Sequence, residues 1–183
     1  SVRLTTGWLA GGGTISANGA DYYSGGGRVA IVLTAGDFTA WTGSHTAYGG
    51  SSAAAGTVCR AAAGTAPGRG SVIVDNNTLA TNATYTALPA TSNTTENLQH
   101  TLWTAQNKAR LGLVTNTAVA SLTLNTGTAL ELAGYTLTVK SLTVTNRIYL
   151  GGIYRPADIS LLTDAVGGGS VVVRAMGTLF VLR

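Results

Sequence analysis

Apolar and polar residues alternate with period two through much of this chain. The clearest runs are Ser121-Leu122-Thr123-Leu124, Ala129-Leu130-Glu131-Leu132, Thr136-Leu137-Thr138-Val139 and Ser141-Leu142-Thr143-Val144. Successive side chains of a strand point to opposite faces, so each run predicts a strand with its Leu or Val pair on one face and Thr, Ser or Glu on the other. Gly, Asn, Asp and Thr fill the gaps, as turns require. These runs follow one another too closely for crossover helices, which leaves the hairpins of a sandwich or the stacked coils of a solenoid.

The N-terminal half contains an internal repeat. Ile15-Ser16-Ala17-Asn18-Gly19 matches His45-Thr46-Ala47-Tyr48-Gly49, and Gly27-Arg28-Val29-Ala30 matches Gly56-Thr57-Val58-Cys59. Each unit holds a short strand ending in Ala-x-Gly, a small-residue turn (Gly25-Gly26-Gly27 or Ala53-Ala54-Ala55-Gly56) and a second strand. Ser71-Val72-Ile73-Val74-Asp75 then reads as a third strand. A fixed repeat constrains a whole architecture, so it outranks local pattern.

Three segments follow. Residues 1–75 form the Gly-rich repeat half, 76–110 a polar connection rich in Thr, Asn and Ala, and 111–183 a second half closing on a terminal strand. The connection is expected to be extended and at the surface. A single helical stretch is expected, from Glu96 to Arg110 around Leu98, Leu102 and Trp103.

Gly25-Gly26-Gly27-Arg28-Val29-Ala30-Ile31, together with Thr14 to Gly19, Ala47-Tyr48-Gly49-Gly50 and Gly56-Thr57-Val58, resembles the Gly-rich repeats of very large secreted, autotransporter-like surface proteins of environmental bacteria. The resemblance continues through Gly70 to Asn76 and Gly127 to Val139. Gly152-Ile153-Tyr154-Arg155-Pro156-Ala157-Asp158, with Gly167 to Val173, is similar to their closing module. The fold this implies is a right-handed parallel β-helix, and the implied role is structural or adhesive. The chain departs from that group in being far shorter and in lacking the membrane barrel that exports a true autotransporter.

The residues support a solenoid without the resemblance. Stacked coils would turn Val29, Ile31, Val58, Val72, Val74, Leu122, Leu124, Leu130, Leu132, Leu137, Val139, Leu142 and Val144 into one core, with Thr and Asn outside. Corner glycines would supply the positive φ of tight bends. The alternative is a two-sheet β-sandwich, which uses the same alternation with hairpin turns.

Composition narrows the setting. Of 183 residues, 45% are apolar and 10% charged, against about 25% charged in an ordinary soluble protein. The surface is therefore mostly Thr, Ser, Asn and Gly, and few like charges keep copies apart. That favours an extracellular or cell-surface protein whose partners are copies of itself in a homopolymer, with surface glycans as a second class. The net charge of +4 does not argue for nucleic acid, because the arginines are scattered singly from Arg3 to Arg183. No apolar run approaches the roughly 18 residues of a membrane span, and no leader precedes the first strand, as expected where one has been removed. Cys59 is the sole cysteine, so no internal disulfide is expected.

No catalytic site, metal site or cofactor is expected. Cys59, His45, His100 and the scattered carboxylates have no ligand spacing. Ser44, His45 and Asp37 are close in sequence, but Ser44 has no nucleophile elbow. Glu96 with Glu131 and Asp158 with Asp164 are the carboxylate pairs a polysaccharide-cleaving β-helix would need; such an enzyme is the third functional reading. The second is a carbohydrate-binding adhesin, with Trp8, Trp41, Trp103 and Tyr48 as glycan or interface aromatics. Asn76, Asn82 and Asn93 open glycosylation sequons. The first reading is an extracellular structural subunit of a bacterial surface layer or filament, assembling through the apolar terminal strand at Thr178, Leu179, Phe180, Val181 and Leu182, whose unpaired edge needs a partner.

Overall fold

The structure, a computed structural model, describes residues 1–79, 84–88 and 98–174. Over these the protein is all-β. The repeat half contributes β1 (Val2–Thr6), β2 (Thr14–Ser16), β3 (Arg28–Leu33), β4 (Ser44–Thr46) and β5 (Thr57–Ala61). Then come β6 (Ser71–Asp75), β7 (Thr86–Leu88), β8 (Leu102–Gln106), β9 (Arg110–Leu113), β10 (Thr117–Leu124), β11 (Ala129–Glu131) and β12 (Thr136–Val144). The described chain closes with β13 (Arg147–Tyr149), β14 (Gly152–Tyr154), β15 (Leu162–Thr163) and β16 (Ser170–Val173).

A ten-stranded sheet runs β1-β3-β5-β6-β8-β10-β12-β16-β14, with β13 beside β12. Strands β15-β11-β9-β7 form a second sheet, and β2-β4 a third. The chain alternates between layers, so that β8, β9, β10, β11 and β12 lead in turn from large sheet to small and back. Most neighbours are therefore parallel, and their registers are those of the repeat: Ile15 pairs with His45, and Val29 with Val58.

All the residues expected to point inward are buried, from Val29 to Val144. Strands β10 and β12 each keep two pairs of residues inside by resetting their alternation, Thr117 with Val119 and Leu122 with Leu124 in β10. In β12, Lys140 and Ser141 both face outward, so Leu137 and Val139 lie in the core on one side of the break and Leu142 and Val144 on the other.

Strands β5 and β6 break the parallel pattern. They run antiparallel, with Val58 opposite Ile73 and Cys59 opposite Val72. Val58 joins Val29, Ile31 and Leu33 in an N-terminal core, and Ile73 packs against it. Val72 belongs to a larger C-terminal core with Val74, Trp103 and Leu122, and Cys59 packs against that one. One continuous sheet thus carries a core on each face, and the strand direction reverses where the core changes sides.

Three expectations need correction. Over its described residues, 98–110, the expected helix is absent: a 3-10 turn at Leu98–His100 is followed by β8 and β9. In β8, Trp103 and Ala105 are buried between more open neighbours, a period of two that no helix satisfies. Nor is 76–110 merely a surface connection, because β7, β8 and β9 supply strands to both larger sheets. Finally, the positive φ expected of corner glycines is found at Gly127 (79°) and Gly134 (81°) but not at Gly26 and Gly56. A Cβ on Gly56 would lie 1.7 Å from the Gly27 carbonyl oxygen, so glycine is needed there for backbone-to-backbone contact between stacked corners.

Candidate functional site

The C-terminal end of the large sheet gathers the features that bear on function. Thr145 and Asn146, both with left-handed φ (47° and 65°), turn β12 back into β13. There Arg147 pairs with Val144 and Tyr149 with Leu142. The chain then steps out one strand position, and β14 pairs antiparallel with β16 instead of β12. This strap leaves Ile148 67%, Leu150 77% and Ile153 58% exposed. Beneath it Tyr149 and Tyr154 pack edge to face at 5.1 Å, and the Tyr154 hydroxyl donates to the Leu150 carbonyl at 2.7 Å. The Arg147 guanidinium sits 5.0 Å from the Tyr149 ring centre.

Two clefts flank the strap. One of about 650 Å³ lies against Thr126, Val144 and the Pro156–Leu161 segment, and one of about 450 Å³ against Leu150, Ile153 and Tyr154. They share Arg147, Tyr149 and Asp158.

The carboxylates nearby are held by backbone. Asp158 accepts from the Arg155 N–H at 2.8 Å. Asp164 accepts from Gly134 at 2.7 Å and Gly167 at 3.1 Å on Oδ1, and from Gly169 at 2.7 Å on Oδ2. Glu131 accepts from the Ala133 and Ala165 N–H groups and from the Thr163 hydroxyl. Burial raises the pKa of both Glu131 and Asp164, yet these donors outweigh it and hold each below the usual range. A general acid needs the opposite shift. Glu96, the proposed partner of Glu131, lies outside the described residues.

The aromatics expected to meet a glycan or a neighbour divide. Trp8 is 70% exposed and lies over Gly36. Trp41 is half-buried and stacks on His45 at 5.6 Å, and Tyr48 is half-buried. Trp103 is a correction: it is 3% exposed in the C-terminal core, its indole N–H donating to the Thr101 hydroxyl at 2.8 Å.

Ser44, His45 and Asp37 do not form a relay. The Ser44 hydroxyl is 3.0 Å from that of Thr14, Asp37 accepts from Thr39, and His45 lies between Trp41 and Phe38. Among the described residues no group of three His, Cys, Asp or Glu is placed to hold a metal ion. No helix there is long and apolar enough to cross a membrane.

Asn76 is fully buried, with its amide nitrogen donating to the Leu79 carbonyl at 2.6 Å. A glycan on that nitrogen would disrupt the site, which corrects the expectation at Asn76. Asn82, Asn93 and the segment Thr178, Leu179, Phe180, Val181, Leu182 lie outside the described residues.

The sequence reading missed the strap. Its signal was present in Ile148-Tyr149-Leu150, where three apolar residues in a row leave no polar outer face. Comparisons with protein-family models, curated proteins and solved structures find no match to this chain.

Proposed function

We propose that this chain is an extracellular structural subunit of a bacterial surface layer or filament, folded as a right-handed parallel β-helix and assembling through the C-terminal end of its large sheet. The observation that carries the reading is the apolar strip Ile148, Leu150 and Ile153, exposed beside β14, the outermost strand of the large sheet among the described residues. Apolar side chains grouped on an edge strand mark a contact surface, because solitary proteins blunt such edges with charge or proline. The low charge of the chain leaves little repulsion between copies. The resemblance to Gly-rich surface proteins supplies the bacterial, extracellular setting.

Parallel registers between strands separated by a layer change favour coils over a hairpin-built sandwich. Right-handed winding is the rule for strand–crossover–parallel strand units. The reversal at β5 and β6 is compatible with one hand throughout, since reversing both strand direction and core face is a half-turn about the stacking axis, and rotation preserves handedness.

Sedimentation velocity and electron microscopy test this directly. The protein should form polymers whose size grows with concentration, and the Ile148→Ser, Leu150→Ser, Ile153→Ser variant should stay monomeric with an unchanged β spectrum. A wild-type chain that remains monomeric at every concentration sinks the proposal.

The second reading, carbohydrate binding, is favoured by one observation: Trp8, Tyr22 and Tyr23 all expose large aromatic surface on the repeat half. A glycan array with wild type and Trp8→Ala decides it, and binding unaffected by the substitution removes Trp8 from the account.

A further inference from the structure

The last described strand in sequence is not the last in space. β16 lies between β12, with which it is parallel, and β14, with which it is antiparallel. Both strands flanking β16 come from earlier in the chain. Its inward residues are deeply buried, Val171 at 0% and Val173 at 5%.

The connection into β16 is Gly167-Gly168-Gly169. Gly167 and Gly168 have φ of +89° and +91°, and a Cβ on either would meet nothing within 4 Å. The connection therefore has wide backbone freedom at Gly167 and Gly168, while Gly169 packs closely against Leu132 and the Tyr135 carbonyl. What fixes it is Asp164, whose carboxylate takes the N–H groups of Gly167 and Gly169 together with that of Gly134 on the preceding coil.

We infer that β16 is an exchangeable strand and that Asp164 is its latch: in the assembly, Ser170–Val173 of one copy fills the slot between β12 and β14 of the next. The inference rests on the self-assembly reading above and adds a strand exchange to the contact made through the strip Ile148, Leu150 and Ile153. The slot is matched to this segment, with Leu137 and Tyr154 flanking Val171 from the two sides and Val139 and Gly152 flanking Val173. A second copy presents the same four residues in the same register, so exchange reproduces every native contact and changes only the hinge. Such swapping is a low-cost route from monomer to polymer, driven by concentration.

The test uses the full chain carrying Cys59→Ala, Thr138→Cys and Val172→Cys. Thr138 and Val172 are register partners on neighbouring strands, both partly exposed. A short thiol-to-thiol crosslinker spans the roughly 4.8 Å between such strands. In an exchanged polymer it joins different chains, and the assembled fraction should run as a covalent ladder on a denaturing gel. Crosslinking first in dilute monomer should tie β16 into its own chain and abolish polymer formation. Asp164→Asn should raise the ladder fraction severalfold, and the cysteine pair alone carries the test if that variant fails to fold. Polymer that yields only monomer bands overturns the exchange while leaving self-assembly standing, whereas no polymer under any condition overturns both.

Discussion

Cys59 and Val72 face each other across β5 and β6 and both pack on the C-terminal core, although Val58, next to Cys59 in the chain, is buried in the N-terminal one. Strand β6 therefore has no face turned wholly to solvent. Val72→Ala and Ile73→Ala should each destabilise the protein by roughly 1–3 kcal/mol in urea unfolding, while Thr123→Ala on β10 should stay within about 0.5 kcal/mol. An Ile73→Ala protein as stable as wild type would disprove the two-faced sheet.

Leu137 is completely buried and in register with Val171. Truncation to Ala should cost about 2–5 kcal/mol, measured by denaturant midpoint. Leu137→Asp places an unpaired charge in the core and should give no soluble folded protein. Recovery of folded Leu137→Asp would mean that β12 is out of register.

Gly56 and Gly7 make a matched pair of controls. A Cβ at Gly56 would lie 1.7 Å from a backbone oxygen, whereas one at Gly7 meets nothing within 4 Å and needs no left-handed φ. Gly56→Ala should lower the melting temperature sharply, and Gly7→Ala should leave it unchanged or raise it slightly. Equal behaviour of the two would contradict the close stacking of corners.

Stability should fall in two stages on acidification. Burial, and then the charge of Arg60, hold the His45 pKa below its ordinary 6.5. Its Nε2 is buried with no hydrogen-bond partner. The unfolded chain thus takes up the proton first, and stability drains away as pH falls from about 6.5 to the folded-state value. Glu131 and Asp164 have depressed values, so their contribution holds above the ordinary 4.5 and 3.8 and is lost as pH falls through the folded values. Melting curves across this range should show both stages in wild type. His45→Phe should keep the stacking on Trp41 and lose the upper stage; persistence of that stage would assign it elsewhere.

Alternation placed thirteen residues in the core, because burial of one strand face is a local property: Leu122, Leu124, Leu137 and Val139 face inward as the pattern requires, while Leu88, Leu111 and Leu113 are core residues it did not mark. The repeat fixed the registers of β2 with β4 and of β3 with β5, since stacked coils place equivalent residues side by side. It did not reveal Trp103 as core, because a single large aromatic among Thr and Ala has little periodic context. The strip Ile148, Leu150 and Ile153 was not legible for a related reason. Exposure of Ile148, Leu150 and Ile153 depends on what covers them, and no local pattern records that.

Tertiary structure alone decided direction and side. Val58 and Val72 look equivalent as sequence, each an apolar residue in a short alternating strand. They lie on opposite faces of one sheet because the chain turns back between β5 and β6, and alternation is identical for parallel and antiparallel strands. The same holds for β16. Its apolar residues announce a buried strand, but its insertion between β12 and β14 depends on the strap stepping outward at Leu150 and Gly151. Period-two patterning specifies which side of a strand is buried; only the path of the rest of the chain specifies what buries it.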